Sequence, residues 1–310
     1  MRNDWEYGLS TDPGIYKPIN EDRCFLRLGE KRRPGRRAIL AAVADGMGGH
    51  GAGDRASQLA IDRLKNWWDR SMPLIVRLDE RMGLLEREMA EVFRQINEEL
   101  WNPPEGAASG SGTTLSVLIV IDTEYYVFHT GDTRVYLLWK DQEGRGAQPI
   151  PSSSCLQSTG NIHLKDSWTY NSLLQLSIDQ TWVAEEVNRG RLGREALYTH
   201  PKRNVLTHCL GINDHVETIR TSGTWQMDEL FVVCSDGFFS LFPEDRLLYE
   251  INAALERHKS LQEVSDALVH KACLLGAPDN VSLLLLRPAS SGTFRGAWTK
   301  RLWNAAKSKK

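Results

Sequence analysis

"AVADGMGGHGAGD", Ala42–Asp54, admits two readings that lead to different folds. An apolar run from Ala38 to Ala44 ends in Asp45, and Gly46, Gly48 and Gly51 then spell G-x-G-x-x-G. A dinucleotide loop needs such glycines between a strand and a helix, inside a βαβ unit with a parallel sheet. A metal-binding loop needs an acid at the strand end and glycines that let backbone carbonyls approach closely.

The surroundings favour the second reading. Ala56, Leu59, Ala60, Leu64 and Trp67 recur at helical spacing and predict a helix over Ala52–Asp69. A second helix is expected from Asp79 to Trp101, ended by Pro103 and Pro104. The period then becomes two. "TTLSVLIVID", "EYYVFHTGD" and "TRVYLLWK" are separated by short polar turns. Such turns join antiparallel neighbours, whereas a parallel pair needs a long crossover. Asp45 would also set a carboxylate beside a bound pyrophosphate.

If the loop holds metal, other acids should occupy equivalent places. Glu21 and Asp22 precede an apolar strand in "NEDRCF". Asp132 follows one in "HTGDTR", and Asp236 follows one in "VVCSDG". Asp279 precedes one in "APDNVS". Any one of these alone reads as a turn residue. The set points to a single oxygen-rich site, which suits Mg²⁺ or Mn²⁺ better than zinc.

Outside these motifs, strands are expected at Trp5–Leu9 and Cys24–Leu28, with a basic turn at Arg32–Arg37. "ELFVVCSDG" and "NVSLLLLR" read as buried strands, and helices are expected over Pro243–His258 and Leu261–Leu275. Lys140–Asn171 is polar and turn-rich, an insertion at about 141–172. Trp182–Leu210 reads as mixed helix and loop.

Bulk composition sets limits. The 310 residues are 41% hydrophobic and 25% charged with a net charge of -2, which gives no global pull toward nucleic acid. Five cysteines, at 24, 155, 209, 234 and 273, form no C-x-x-C pair and read as free thiols. The opening MRNDWEYG lacks the apolar core of a secretory signal, and no apolar run approaches the ~20 residues of a membrane span. The expected compartment is the cytoplasm. The tail, Thr293–Lys310, carries six Lys/Arg and no acid, with Trp298, Leu302 and Trp303. A solvated flexible extension fits this pattern, and so does a segment that touches a membrane or a partner.

Taken in order, "NED", "VADGMGGHGAGDRAS", "SGTTLSVLIV", "GDTRVYLL", "LSIDQTWV", "HPKRNVLTHCLG", "VVCSDGFF" and "APDNVSLLL" resemble the metal-dependent protein phosphatase family, the protein phosphatase 2C type, in its bacterial branch. The matching stretches run from Asn20 to Leu286. The resemblance implies an α+β fold, a four-layer α-β-β-α sandwich with two stacked antiparallel sheets between helices, over residues 1–288. The basic tail would occupy 289–310. It implies hydrolysis of phosphoserine and phosphothreonine on protein substrates of a Ser/Thr kinase, through a metal-activated water.

The site residues follow from the same resemblance. Asp45 corresponds to the bridging ligand of two ions, Glu21 and the Gly46 carbonyl to ligands of one, and Asp236 and Asp279 to ligands of the other. Asp132 with Asp236 corresponds to a weaker third site. Asp22 and Thr114 correspond to groups that position bound water around the metals. Catalytic weight falls on Lys17, Asp45 and Asp236.

Two departures stand out. The family's phosphate-gripping Arg, four residues before the Glu, is Lys17 here, a point charge without the bidentate fork. Arg23 is a second candidate base. That departure leaves room for an alternative: a catalytically weak or inactive phosphatase fold serving as a binding or sensing module. Some relatives carry His after "DG". Met47 stands there instead, and His50 lies three residues on. Arg191, Arg194, Lys202 and Arg203 make the "HPKRNVLT" region basic, either to gather phosphorylated substrates or as a solvated face.

Overall fold

The computed structural model describes residues 5–29, 38–48, 51–103, 110–140 and 169–289. His50, the basic turn at 32–37, most of the polar insertion (141–168) and the tail from 290 lie outside the described residues.

The chain opens with β1 (Trp5–Asp12), β2 (Asp22–Leu28) and β3 (Ala38–Met47). Helices α1 (Ala52–Ile75) and α2 (Met82–Trp101) follow. Next come β4 (Gly112–Thr113), β5 (Leu115–Ile121), β6 (Glu124–Thr130) and β7 (Arg134–Trp139). Past the insertion lie β8 (Ser172–Gln175), α3 (Trp182–Asn188), α4 (Ala196–Thr199), β9 (Ile219–Thr224) and β10 (Leu230–Cys234). The chain continues through α5 (Asp236–Phe239), α6 (Glu244–Arg257), α7 (Leu261–Leu274) and β11 (Val281–Pro288).

The strands form two sheets, ordered β1-β11-β10-β7-β8 and β2-β3-β5-β6-β9, with β4 paired to β3. The strand pairings are antiparallel. The period-two runs therefore behave as the short turns between them require.

Three apolar layers hold the stack together. Ile39, Ala41, Val43, Leu118 and Val120 of one sheet meet Val135, Leu137, Phe231, Val233 and Leu284 of the other. Alternate residues of β3 and β5, such as Leu40 and Val117, pack against Ala60, Leu64, Trp67 and Phe93 of α1 and α2. On the opposite side Val232, Cys234 and Leu283 pack against Leu247, Ile251, Leu261, Val264 and Leu268 of α6 and α7. Both faces of each sheet are covered, so β3 and β5 read as continuous apolar runs. This is the α-β-β-α sandwich of the α+β class.

Three details depart from the sequence expectation. α1 continues past Asp69 to Ile75 and carries Pro73 in its last turn, where buried Met72 and Ile75 anchor it to the core. β9 reads "IRTSGT"; as a sheet-edge strand it buries little, so its sequence carries no apolar alternation. β8 emerges from the end of the polar insertion and pairs with β7.

Candidate metal centre

The acids gather at one end of the sandwich because each lies at or close to the end of a strand. β2 and β3 pair so that Asp22 faces Asp45 directly. Beyond Asp45 the strand runs on to Gly46 and Met47, which pair with Thr113 and Gly112. The Asp45 backbone is held from three directions. Its N–H donates to Thr114 Oγ1 (3.0 Å), and its carbonyl accepts from the Thr114 N–H (2.9 Å) and from Thr113 Oγ1 (2.9 Å). Thr114 thus fixes the main chain of Asp45.

Glu21 and Gly46 meet at the start of α1. The Gly46 N–H donates to the Glu21 carbonyl (3.2 Å), which also accepts from Ser57 Oγ (2.6 Å). A Cβ built on Gly53 would lie 2.7 Å from the Gly46 carbonyl oxygen and 2.8 Å from Glu21 Oε1. Those two oxygens therefore flank one point at the helix's first turn. A side chain at Gly46 would strike the Gly53 carbonyl, so this approach demands glycine.

Asp279 and Asp236 come from the other sheet. Asp236 opens α5 directly after β10. Asp279 immediately precedes Asn280 and β11. Asn280 is the clasp between the two sheets. Its Nδ2 donates to the carbonyls of Pro13 (2.9 Å) and Ile19 (3.0 Å), and its Oδ1 accepts the Glu21 N–H (2.8 Å). Lys17, on the clasped loop, reaches Asp279 Oδ1 at 2.9 Å. Burial pulls the Lys17 ammonium down, but Asp279, then Glu21 and Asp45, outweigh it and hold the pKa above the ordinary lysine value.

The electrostatics are those of uncompensated buried charge. Asp22 is 1% exposed, and neither of its carboxylate oxygens makes a hydrogen bond of good geometry, although the Ser282 and Ser235 hydroxyls lie close enough to favour its ionised form; Oδ1 of Asp236 has no partner either. Burial, and then the charges of Asp236 and Asp279, push Asp22 up to about 7. Burial and Asp279 push Asp236 up to about 6. Asp45 is raised well above the carboxylate range by burial and then by Asp22, Asp236, Asp132 and Asp279. Asp132 is raised by burial and by Asp236 and Asp179. Burying several acids in reach of each other is costly unless they share protons or cations arrive.

Among the described residues, no three His, Cys, Asp or Glu side chains close on one point as a finished ligand set would. Acids without a cation repel, so an open arrangement is the physical expectation. The donor set is all oxygen, and buried carboxylate oxygens lack partners. Both features fit hard divalent ions.

Lys17, Glu21, Asp22, Asp45, Gly46, Thr114, Asp132, Asp236 and Asp279, singled out from the sequence, lie at this end. Arg23 does not face it. Its guanidinium is engaged by Asp54, by Gln58 and by the carbonyls of Asn20 and Asp22. Asp132 and Asp236 share a narrow pocket with Arg203, Asn204 and Tyr198. Arg203 thus faces the acids, whereas Arg191 pairs with Glu186 and Lys202 lies over the Trp182 ring at 4.8 Å.

Sequence reasoning missed three supports. One is the Asn280 clasp, another the Ser57 contact. The third is Asp179, which grips Arg134 through its Nε (3.0 Å) beside the Asp132 turn. Gln180 pins that turn as well, exchanging hydrogen bonds with the Gly131 backbone (both 2.8 Å). Asp179 and Gln180 lie in the quoted "LSIDQTWV", so a signal was present without an assigned role.

Comparison with known proteins gives the family and the fold. The family model described as Protein phosphatase 2C matches residues 18–270. The Serine/threonine phosphatase stp of Listeria welshimeri is 30% identical over 276 residues, covering 89% of this chain and 93% of that protein. The crystal structure of the Mycobacterium tuberculosis serine/threonine phosphatase PstP/Ppp superposes with a TM-score of 0.67 at 25% identity, over 92% of this chain and 98% of that one. The PstP catalytic domain solved in complex with two manganese ions superposes with a TM-score of 0.65 at 24% identity, over 91% and 97% of the two chains.

Proposed function

The chain belongs to the protein phosphatase 2C family, and from that premise we propose how its residues divide the work of a metal-dependent protein serine/threonine phosphatase. The observation that carries the reading is Asp45. It sits half-buried among Asp22, Asp236, Asp132 and Asp279, whose charges raise it, with orphaned oxygens of Asp22 and Asp236 around it.

Asp45, Glu21, the Gly46 carbonyl, Asp236 and Asp279 would hold two Mn²⁺ or Mg²⁺ ions, and Asp132 with Asp236 a third. When bound, the ions supply an ionised attacking water and neutralise charge on the phosphoryl group. The chain's own groups do the rest. Lys17 stands at the mouth, 39% exposed and paired to Asp279, placed to meet a phosphoryl oxygen as a point charge. Asp22, buried beside the Ser235 and Ser282 hydroxyls, would accept hydrogen bonds from water in the site. Thr114 fixes the register of Asp45. Asn280 ties the Lys17 loop to Asp279, so phosphate and metal residues keep a constant separation. Met47 carries no titratable group for the leaving oxygen, and His50 lies outside the described residues.

The alternative of a binding module without turnover rested on Lys17 replacing Arg. The pairing of Lys17 with Asp279 supports a working residue instead. Residues 1–288 form the phosphatase domain in this reading. Its substrates are products of a Ser/Thr kinase. No helix among the described residues is long and apolar enough to cross a membrane. The described cysteines, 24, 209, 234 and 273, are free, which supports a reducing cytoplasm.

The test is phosphate release from a phosphothreonine peptide with Mn²⁺ and with chelator. Release with the metal, lost with chelator and in Asp236→Asn, is expected. Turnover that survives both treatments would refute the assignment.

A further inference from the structure

We propose that residues 13–21, the loop between β1 and β2, form a rigid ledge on which the polypeptide flanking a phosphorylated residue rests, so that large apolar neighbours of that residue are selected. The inference rests on the phosphatase reading and names the substrate class of the same site.

The loop is fixed at both ends. Gly14 adopts φ +74°, and its N–H donates to the Asp12 carboxylate (2.8 Å). A side chain at Gly14 would collide with the Asp279 carbonyl, so the loop lies directly on the backbone that presents Asp279. The Asn280 side chain holds the Pro13 and Ile19 carbonyls and the Glu21 N–H. These hydrogen bonds are all to backbone, so the conformation does not depend on the side chains between them.

Those side chains divide sharply. Lys17 turns inward to Asp279. Ile15, Tyr16 and Ile19 are left in water, 56%, 72% and 46% exposed. Three large apolar side chains on one immobilised loop form a patch that gains by being covered. Its occupant follows from continuity with the site. A phosphoryl group at Lys17 and the metal acids brings its own chain to the mouth. Consecutive Cα atoms are 3.8 Å apart, so residues one or two positions from the phosphorylated one fall on Tyr16 and Ile15, the immediate neighbours of Lys17. Small phosphate esters lack those neighbours and cannot use the ledge.

The experiment compares kcat/KM, with Mn²⁺, for p-nitrophenyl phosphate and for phosphothreonine peptides flanked by Leu or Phe or by Ser. Wild type should favour apolar flanks by about fivefold, expressed in KM more than in kcat. Ile15→Ser with Tyr16→Ser should bring that ratio close to one. Leu274→Ser, an equally exposed apolar position on α7 (74%), should leave the ratio as in wild type. Wild type that hydrolyses the small ester but shows no flank preference overturns this inference alone. So does a preference that persists in the double variant. Wild type inert toward the small ester overturns the phosphatase reading and this inference together. Sedimentation of wild type and double variant adds one more outcome. A concentration-dependent dimer present only in wild type would assign the ledge to a second copy of the chain and overturn the proposal.

Discussion

Asp132 and Arg134 stand two residues apart at the head of β7, both buried, and their surroundings are opposite. Arg134 is 3% exposed and fully engaged. Asp179 grips it through two nitrogens, Tyr136 Oη lies 2.9 Å from its Nη1, and Phe239 stacks on it at 3.7 Å. Asp132 is 6% exposed and faces Asp236, another acid. One charge is buried with its partner inside the fold. The other is buried against like charge. A fold keeps the first kind for architecture, and retains the second kind when something cationic arrives to complete it.

That contrast predicts opposite phenotypes. Asp45→Asn should lower kcat by about three orders of magnitude, since the charge that gathers the ions is gone. The metal-free protein should melt no lower than wild type, because a carboxyl crowded by like charge has been removed. Steady-state kinetics and a chelated thermal melt check both halves. Arg134→Met should do the reverse in the metal-free protein. It should lose about 3–5 kcal/mol in urea unfolding by stranding Asp179, and Asp179→Leu added to it should restore most of the loss.

The contrast also has a pH signature. Asp22 titrates at about 7 and Asp236 at about 6 in the folded protein, above the ordinary carboxylate value, so the fold binds more protons than the unfolded chain. The stability these groups contribute is present in acid and lost as pH rises from about 4 through about 7. His129, lowered to about 4 by burial, acts in the other direction, losing stability as pH falls below its ordinary value. The raised acids outnumber it. Urea midpoints of the chelated protein should therefore fall between pH 5 and pH 7.5, and saturating Mn²⁺ should flatten or invert that slope. The smallest expected effect is at the rim. Lys17→Ala should raise KM for phosphopeptides about tenfold with a lesser change in kcat, and Lys17→Arg should recover most of it.

Much of this was legible in the sequence because each acid carries a local mark. Asp132 and Asp236 each follow a strand, Asp45 closes the apolar run of β3, and each adjoins Gly or a turn, while Glu21 and Asp279 each precede a strand. The hairpin spacing of β5, β6 and β7 gave the antiparallel order. The supports lie in the matching stretches, but their roles were not legible, because their partners are remote. Asn280 acts on Glu21 from 259 positions away, Asp179 on Arg134 from 45, and Ser57 on Glu21 from 36. β9 escaped for a different reason: an edge strand with little to bury carries no apolar alternation.

The most direct test of the central claim is calorimetric titration of Mn²⁺ into the full chain, run at pH 6 and pH 8 in buffers of different ionisation enthalpy. Two ions per chain are expected, with more protons released at pH 6 than at pH 8 and at least one ion lost in Asp236→Asn. Wild type that takes up no Mn²⁺, or Asp236→Asn that binds as wild type does, would contradict the claim.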